Sequence, residues 1–316
     1  MIKNKFFKFT RSITKIILPV FFKLILFLKA NRRVINFLND KSFRSNDKYN
    51  FTNIINNLLN KKLLAMDIGA QGGFNSDNFF PKKYNDFFEP VMIEPIKDEA
   101  KKLKESYKYV VDKGLWSSST KKKIYILKNR PGSSSMYEPE TSRFDIHNIK
   151  KKDYSLYDVS EIQEIECETI SESLKKINLE HLDYLKIDTQ GSEYEILKGL
   201  GPYRPLLIRI EVQIMPIYKK VPRWTKLIDH LYEINYILCD WKEIGSHTTR
   251  TPVEMDMIFI PDFQNFEGKE IIKKDQNKFI SLMLIFGQIN LLKTVSKKCK
   301  FKNTSFLKNL EDLYFN

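Results

Sequence analysis

The sequence predicts an α/β protein built on a doubly wound sheet, and three observations carry the prediction. From Leu63 onward, short apolar runs alternate with stretches of helical periodicity. Several runs are almost continuous in Leu, Ile and Val, as in strands covered by helices on both faces. One of them, Leu63–Asp67, runs into the turn Gly69-Ala70-Gln71-Gly72-Gly73, and strands of open α/β sheets end in this way where they meet a ligand. At 316 residues, with 42% hydrophobic and 13% aromatic content, the chain has the apolar surface such a core needs.

The first part, residues 1–60, reads as a basic helical extension. Ile16, Ile17, Val20, Phe21, Leu24, Phe27 and Leu28 recur at helical spacing. Ile16–Leu28 spans thirteen residues and contains Lys23, whereas a membrane span needs roughly 20 apolar residues. It is followed by Lys29-Ala30-Asn31-Arg32-Arg33 without a small-x-small cleavage site, which argues against a signal peptide. Two readings stay open: a helix lying on an anionic membrane surface, or one packed on the core.

The middle, 61–262, holds the expected strands Leu63–Asp67, Val91–Glu94, Tyr109–Val111, Lys123–Leu127, Tyr184–Asp188, Leu206–Glu211, Ile234–Cys239 and Met255–Ile260. The last part, 263–316, reads as a Lys-rich helical extension with an apolar stretch at Ile280–Ile289. The net charge of +14 belongs to the ends: residues 1–45 carry +10 and 269–316 carry +6, which leaves the middle slightly acidic. A nucleic-acid enzyme more often puts its basic stripe on the catalytic domain, so this distribution favours an anionic surface met by the tails. Cys167, Cys239 and Cys299 are scattered, with neither a disulfide framework nor zinc-ligand spacing, and EF-hand and HExxH patterns are missing. A reducing, cytoplasmic location, peripheral to the inner face of the membrane if the N-terminal helix binds lipid, fits these features, and no metal is expected.

The chemistry is concentrated at strand ends. Asp67 closes its strand two residues before Gly69, where a carboxylate would repel a pyrophosphate. The dinucleotide pattern GxGxxG also fails, with Gln71 and Asn75 at its second and third glycine positions. An acid beside such a turn suits a ligand with a cationic amino-acid end. Glu94 closes the next strand before Pro95, and an acid at this distance beyond a glycine turn is the usual partner of a ribose diol. A helix is expected to follow the turn.

Asp67–Gly73, Ile93-Glu94-Pro95 and Lys186-Ile187-Asp188-Thr189-Gln190-Gly191-Ser192-Glu193 together resemble the FkbM family of class I methyltransferases. Val110–Leu115, Ser133-Ser134-Ser135, Ile165–Ile170 and Ile208–Val212 extend the resemblance over about Lys61 to Ile260. It implies a Rossmann-like, seven-stranded class I fold that binds S-adenosylmethionine and methylates hydroxyls, commonly of sugars or glycan-like compounds. Under the resemblance, the cofactor-binding set is Asp67, Gly69, Ala70, Gln71, Gly72, Glu94 and Asp112. Asp67, Gly69 and Gln71 stand at the methionine end, Glu94 at the ribose and Asp112 near the adenine. Gln71 departs from the family's usual Asn after the Gly-Ala pair.

Strand alternation puts Tyr184, Lys186 and Asp188 on one face, and Arg209 and Glu211 on one face of the neighbouring strand. Charges inside a covered sheet have to be paired, so Lys186, Asp188, Arg209 and Glu211 are expected to form one network. Asp188 and Glu211 are the candidate bases for a hydroxyl, with Lys186 beside them as part of the catalytic set and His147 and His247 as outside alternatives. Ser192-x-x-Glu195 reads as a capping box for a helix ending at Gly199, and Glu193 as a charge favouring the helix start. Phe79, Phe80, Phe87, Phe88, Tyr137, Tyr154 and Tyr157 are core residues or stacking surfaces for a sugar. The rival functions are an RNA methyltransferase, supported by the basic ends, and a non-catalytic membrane-surface protein on the same scaffold.

Overall fold

The computed structural model describes residues 50–127, 129–147, 149–244, 253–302 and 307. The apolar helix expected at Ile16–Leu28 and His247 lie outside the described residues. The strands are β1 (Leu63–Ile68), β2 (Phe88–Ile93), β3 (Tyr109–Val111), β4 (Gly114–Leu115) and β5 (Thr120–Ile126). They continue with β6 (Glu161–Glu168), β7 (Tyr184–Ile187), β8 (Leu207–Gln213), β9 (Tyr236–Ile244) and β10 (Glu254–Pro261). The helices are α1 (Thr52–Leu58), α2 (Lys97–Lys104), α3 (Ile170–Lys176), α4 (Glu193–Lys198), α5 (Trp224–Glu233), α6 (Phe266–Lys274), α7 (Gln276–Ile285) and α8 (Ile289–Cys299).

Seven strands form the main sheet in the order β3-β2-β1-β7-β8-β10-β9. The pairs among β3, β2, β1, β7 and β8 are parallel, and β10 is antiparallel to both of its neighbours. The order reverses between β1 and β7, so the carboxyl ends of these strands open a crevice. Because β10 runs the other way, its first residues, Glu254 and Asp256, arrive at the rim where β7 and β8 end.

One face of the sheet places Met66, Ile68, Leu185, Ile187, Ile208 and Ile210 against Ile170 and Leu174 of α3, Ile196 of α4, and Leu227 and Leu231 of α5. The other face stacks Tyr184 against Phe88 and Phe286, with Phe80 completing the cluster. Every residue of α7 from Phe279 to Ile285 is buried, and Lys278 pairs with Asp183 at 2.9 Å. The Lys-rich C-terminal segment therefore supplies part of the apolar cover beside the sheet.

Two features depart from the expectations. A small sheet of order β4-β6-β5 stands beside the main one. Its strand β6, Glu-Ile-Gln-Glu-Ile-Glu-Cys-Glu, buries Ile165 and Cys167 against Ile124 and exposes most of its other side chains, so it has no apolar run to announce it. The helix expected after the glycine turn is replaced by successive turns and a six-residue 3-10 segment, Lys82–Phe87. Asn75 and Asn78 both take left-handed backbone there, which a helix does not accept.

Candidate active site

The turn after β1 is fixed by contact with the end of β7. Gly69 has φ +81°, and a Cβ on it would stand 1.9 Å from the Asp188 carbonyl oxygen. The amides of Gly69 and Ala70 donate to the Ile93 carbonyl at the end of β2, each at 3.2 Å. Three strand ends thus meet around one backbone turn and line one cleft, whose residues include Gly69, Gln71, Glu94, Ile96, Lys186, Asp188, Gln190 and Ser192. The loop after β5 contributes Pro131, Gly132, Ser134, Ser135 and Met136 to the same cleft.

Glu94 is 4% exposed, and its Oε1 accepts the Ile96 amide at 2.9 Å. Its other oxygen makes no hydrogen bond among the described residues. Burial pushes its carboxyl up to about 7, against the pull of that amide. The Ser192 hydroxyl is fully buried in the cleft lining without a partner, which marks a position where a ligand polar group would be satisfied.

Asp67 is placed differently from the expectation. Its Oδ1 lies 3.0 Å from Lys186 Nζ, on the adjacent strand in register with it, and it is Lys186 that lines the cleft. Lys186 also donates to the Gly69 carbonyl at 3.3 Å and stands 3.6 Å from Asp188. Burial disfavours its ammonium, but Asp67 and Asp188 outweigh that and hold it above the ordinary lysine value. Replacing Lys186 by Met strands the buried Asp67 and is expected to cost about 3–5 kcal/mol in urea unfolding. Adding Asp67→Asn should restore most of that loss.

The single network expected from four charges resolves into two cationic centres. Arg209 does not reach Asp188; it pairs with Asp256 at 2.8 Å and with Asp77, and its guanidinium lies over the Phe79 ring at 3.7 Å. This pins the turn region after β1 to β8. Glu211 accepts from the Gln190 amide at 2.7 Å, and the same nitrogen reaches Asp188 at 3.2 Å. Burial, with Asp188, Glu254 and Asp256 nearby, raises the Glu211 carboxyl well above its usual value.

Asp112 stands apart from the cleft lining, half exposed and paired with Lys104 at 2.7 Å. Where β3 ends, Gly114 and Leu115 line the cleft instead. Ala70 and Gly72 shape the turn without lining the cleft. His147 donates from Nε2 to the Met215 carbonyl, 2.6 Å away, outside the cleft lining.

The Ser192 capping box does not form. Thr169, with extended ψ of 159°, caps α3 reciprocally with Glu172, whereas Ser192 has ψ near 0° and cannot aim its hydroxyl along the helix. Glu195 turns instead to Ser117 and Lys198. Glu193 does more than favour a helix start: its Oε1 accepts the amides of Thr189 and Gly191 and the Thr189 hydroxyl, tying the turn after β7. Of the aromatic candidates, Phe80, Phe88 and Tyr157 are buried in packing clusters, and Tyr137 borders the turn at Gly191. The sequence offered no separate signal for Gln190 or Asp77; both gain their partners only in the fold.

No curated protein matches the chain. A family model described as the methyltransferase FkbM domain matches residues 67–238, more than half of the chain, from the last buried acid of β1 into β9. The sheet order, the crevice at the strand reversal and this match agree, and the chain belongs to the FkbM methyltransferase family.

Proposed function

We propose that the chain is an S-adenosylmethionine-dependent O-methyltransferase acting on a hydroxyl of a carbohydrate or lipid-linked glycan. The observation that carries this reading is the cleft that joins the Gly69 turn, Glu94 and Asp188. The residues fit the cofactor: a buried carboxylate with an oxygen to spare suits a ribose diol, and Ile96, Leu115, Ile124 and Met136 suit an adenine ring. Glu94 would hold the ribose, and Gly69, Gln71 and the orphaned Ser192 hydroxyl would border the methionine end. Asp67 would act through Lys186, and Asp112 would stay outside.

When bound, S-adenosylmethionine supplies an electrophilic methyl group. Asp188 would accept the acceptor's hydroxyl proton, since it lines the cleft and keeps some exposure, whereas Glu211 lies outside the lining and burial disfavours its charged form. Lys186 keeps Asp67 neutralised and the turn closed, and positioning supplies much of the rate. The test is incubation with methyl-labelled S-adenosylmethionine and fractionated glycans, lipids and RNA. Label in glycan or glycolipid supports the reading, and label confined to RNA overturns the acceptor class.

The catalytic unit would span 61–262, with residues 1–45 as a contact for an anionic membrane surface. No helix among the described residues is long and apolar enough to cross a membrane. Removing residues 1–45 is expected to lower retention on anionic vesicles while leaving S-adenosylhomocysteine affinity within a few-fold; unchanged retention would remove the surface contact.

A further inference from the structure

Gln190 stands where the turn after β7 crosses the ends of β7 and β8, and its carbonyl and both ends of its side-chain amide are engaged. Its backbone is left-handed, φ +59°, and its carbonyl accepts the Ser135 hydroxyl at 2.7 Å. Its side-chain nitrogen donates to Glu211 at 2.7 Å and to Asp188 at 3.2 Å. Its side-chain oxygen accepts from Gln213 at 3.3 Å, while the Tyr218 hydroxyl gives its proton to the Ser133 carbonyl at 2.6 Å. One donor at the oxygen and two carboxylates at the nitrogen fix the amide in one orientation.

We propose that Gln190 is a positioning residue, a neutral clamp that holds Asp188 and Glu211 as a pair of unequal carboxylates at the rim of the cleft. A carboxylate or a lysine at this position would add charge between the two acids or neutralise both, whereas an amide satisfies one oxygen of each and leaves the pair's charge to be set by burial. Asp188 faces the cleft and Glu211 lies outside its lining, where burial disfavours the charged form of Glu211. The charged groups facing this pair are Lys186 on β7, Arg209 on β8, and Glu254 and Asp256 on β10. The catalytic consequence rests on the reading of Asp188 as proton acceptor; the clamp itself does not.

The test is carboxyl 13C NMR titration of the full chain labelled at Asp Cγ and Glu Cδ, with Asp188→Asn and Glu211→Gln assigning the two signals. Gln190→Met keeps the length of the side chain and removes both donors, so the Asp188 and Glu211 titrations should each move upward by about one pH unit or more. The acidic limb of methyl transfer to whichever fraction takes up label should move with Asp188. Gln213→Leu removes the donor that orients the amide; it should give a smaller shift in the same direction, and it serves if Gln190→Met fails to fold. Titrations that stay within 0.2–0.3 unit of the parent, roughly the resolution of such a measurement, in a folded variant overturn the clamp. If the titrations move while Asp188→Asn still transfers methyl at the parent rate, the clamp stands and the assignment of Asp188 as base falls.

Discussion

Gly69→Ala is expected to abolish methyl transfer and to cost about 3–5 kcal/mol of stability, a fall of roughly 10 °C in melting temperature. Two effects add. A residue with a Cβ at φ +81° carries a left-handed penalty of about 1–2 kcal/mol. The new methyl would also stand 1.9 Å from the Asp188 carbonyl oxygen, a backbone atom at the end of β7 that has no rotamer to escape into. Either the turn lifts away from β7 or β7 gives way, and in both cases Lys186 loses the Gly69 carbonyl and Asp188 is displaced. Gly72→Ala separates the two effects. Gly72 has φ +82° as well, but its Cβ would meet only the Ser76 side chain, at 3.4 Å. That variant should lose about 1 kcal/mol and keep its activity. Equal losses in the two variants would show that the meeting of turn and strand end is unimportant.

Glu94→Gln should weaken S-adenosylhomocysteine binding by about 100-fold or more while making the free protein more stable at pH 8. Under the proposed assignment, the loss comes from exchanging a charged acceptor for a neutral one at the ribose. The gain follows from burial, which raises this carboxyl from its ordinary 4.5 to about 7. The folded protein then binds the proton more tightly than the unfolded chain does. Stability from this group is fully present below about pH 4.5 and is lost as pH rises through about 7, by roughly 3 kcal/mol. Glutamine keeps the bond to the Ile96 amide and carries no charge to desolvate. The variant's melting temperature should therefore exceed the parent's at pH 8 and match it at pH 5. In the parent, cofactor affinity should rise with pH up to about 7, and in the variant this rise should vanish. Calorimetry at the two pH values measures both effects, and undiminished affinity would remove Glu94 from the site.

The main sheet was legible because several of its strands are nearly continuous apolar runs that end in charge. Leu63–Asp67 and Tyr184–Asp188 each state a buried strand and its functional end within a few residues. The small sheet was not, since β6 alternates four glutamates with its buried residues and depends on β5 for its meaning. Pairing across strands was legible only in part. That Lys186 needed a carboxylate follows from its place in a covered strand, but its partner, Asp67, is 119 residues away and is selected by register. The same holds for Arg209 with Asp77 and Asp256, and for Gln190, whose four hydrogen bonds draw on three separate segments. Ser192 shows the opposite error: a local motif was present, and a backbone angle cancelled it.

The stretch from Gly69 to Pro81 has no α-helix, and so no row of helix N-terminal amides at the mouth of the turn. Any pocket that accepts adenosine competes in a cell with ATP, whose triphosphate gains most of its affinity from such amides and from lysines aimed at them. Here Lys186 is already committed to Asp67, and Asp77 and Glu94 add negative charge along the same wall. Under the proposed assignment, the missing helix works as a filter: it costs a phosphate-free cofactor nothing and denies the cell's commonest adenosine compound its main handhold.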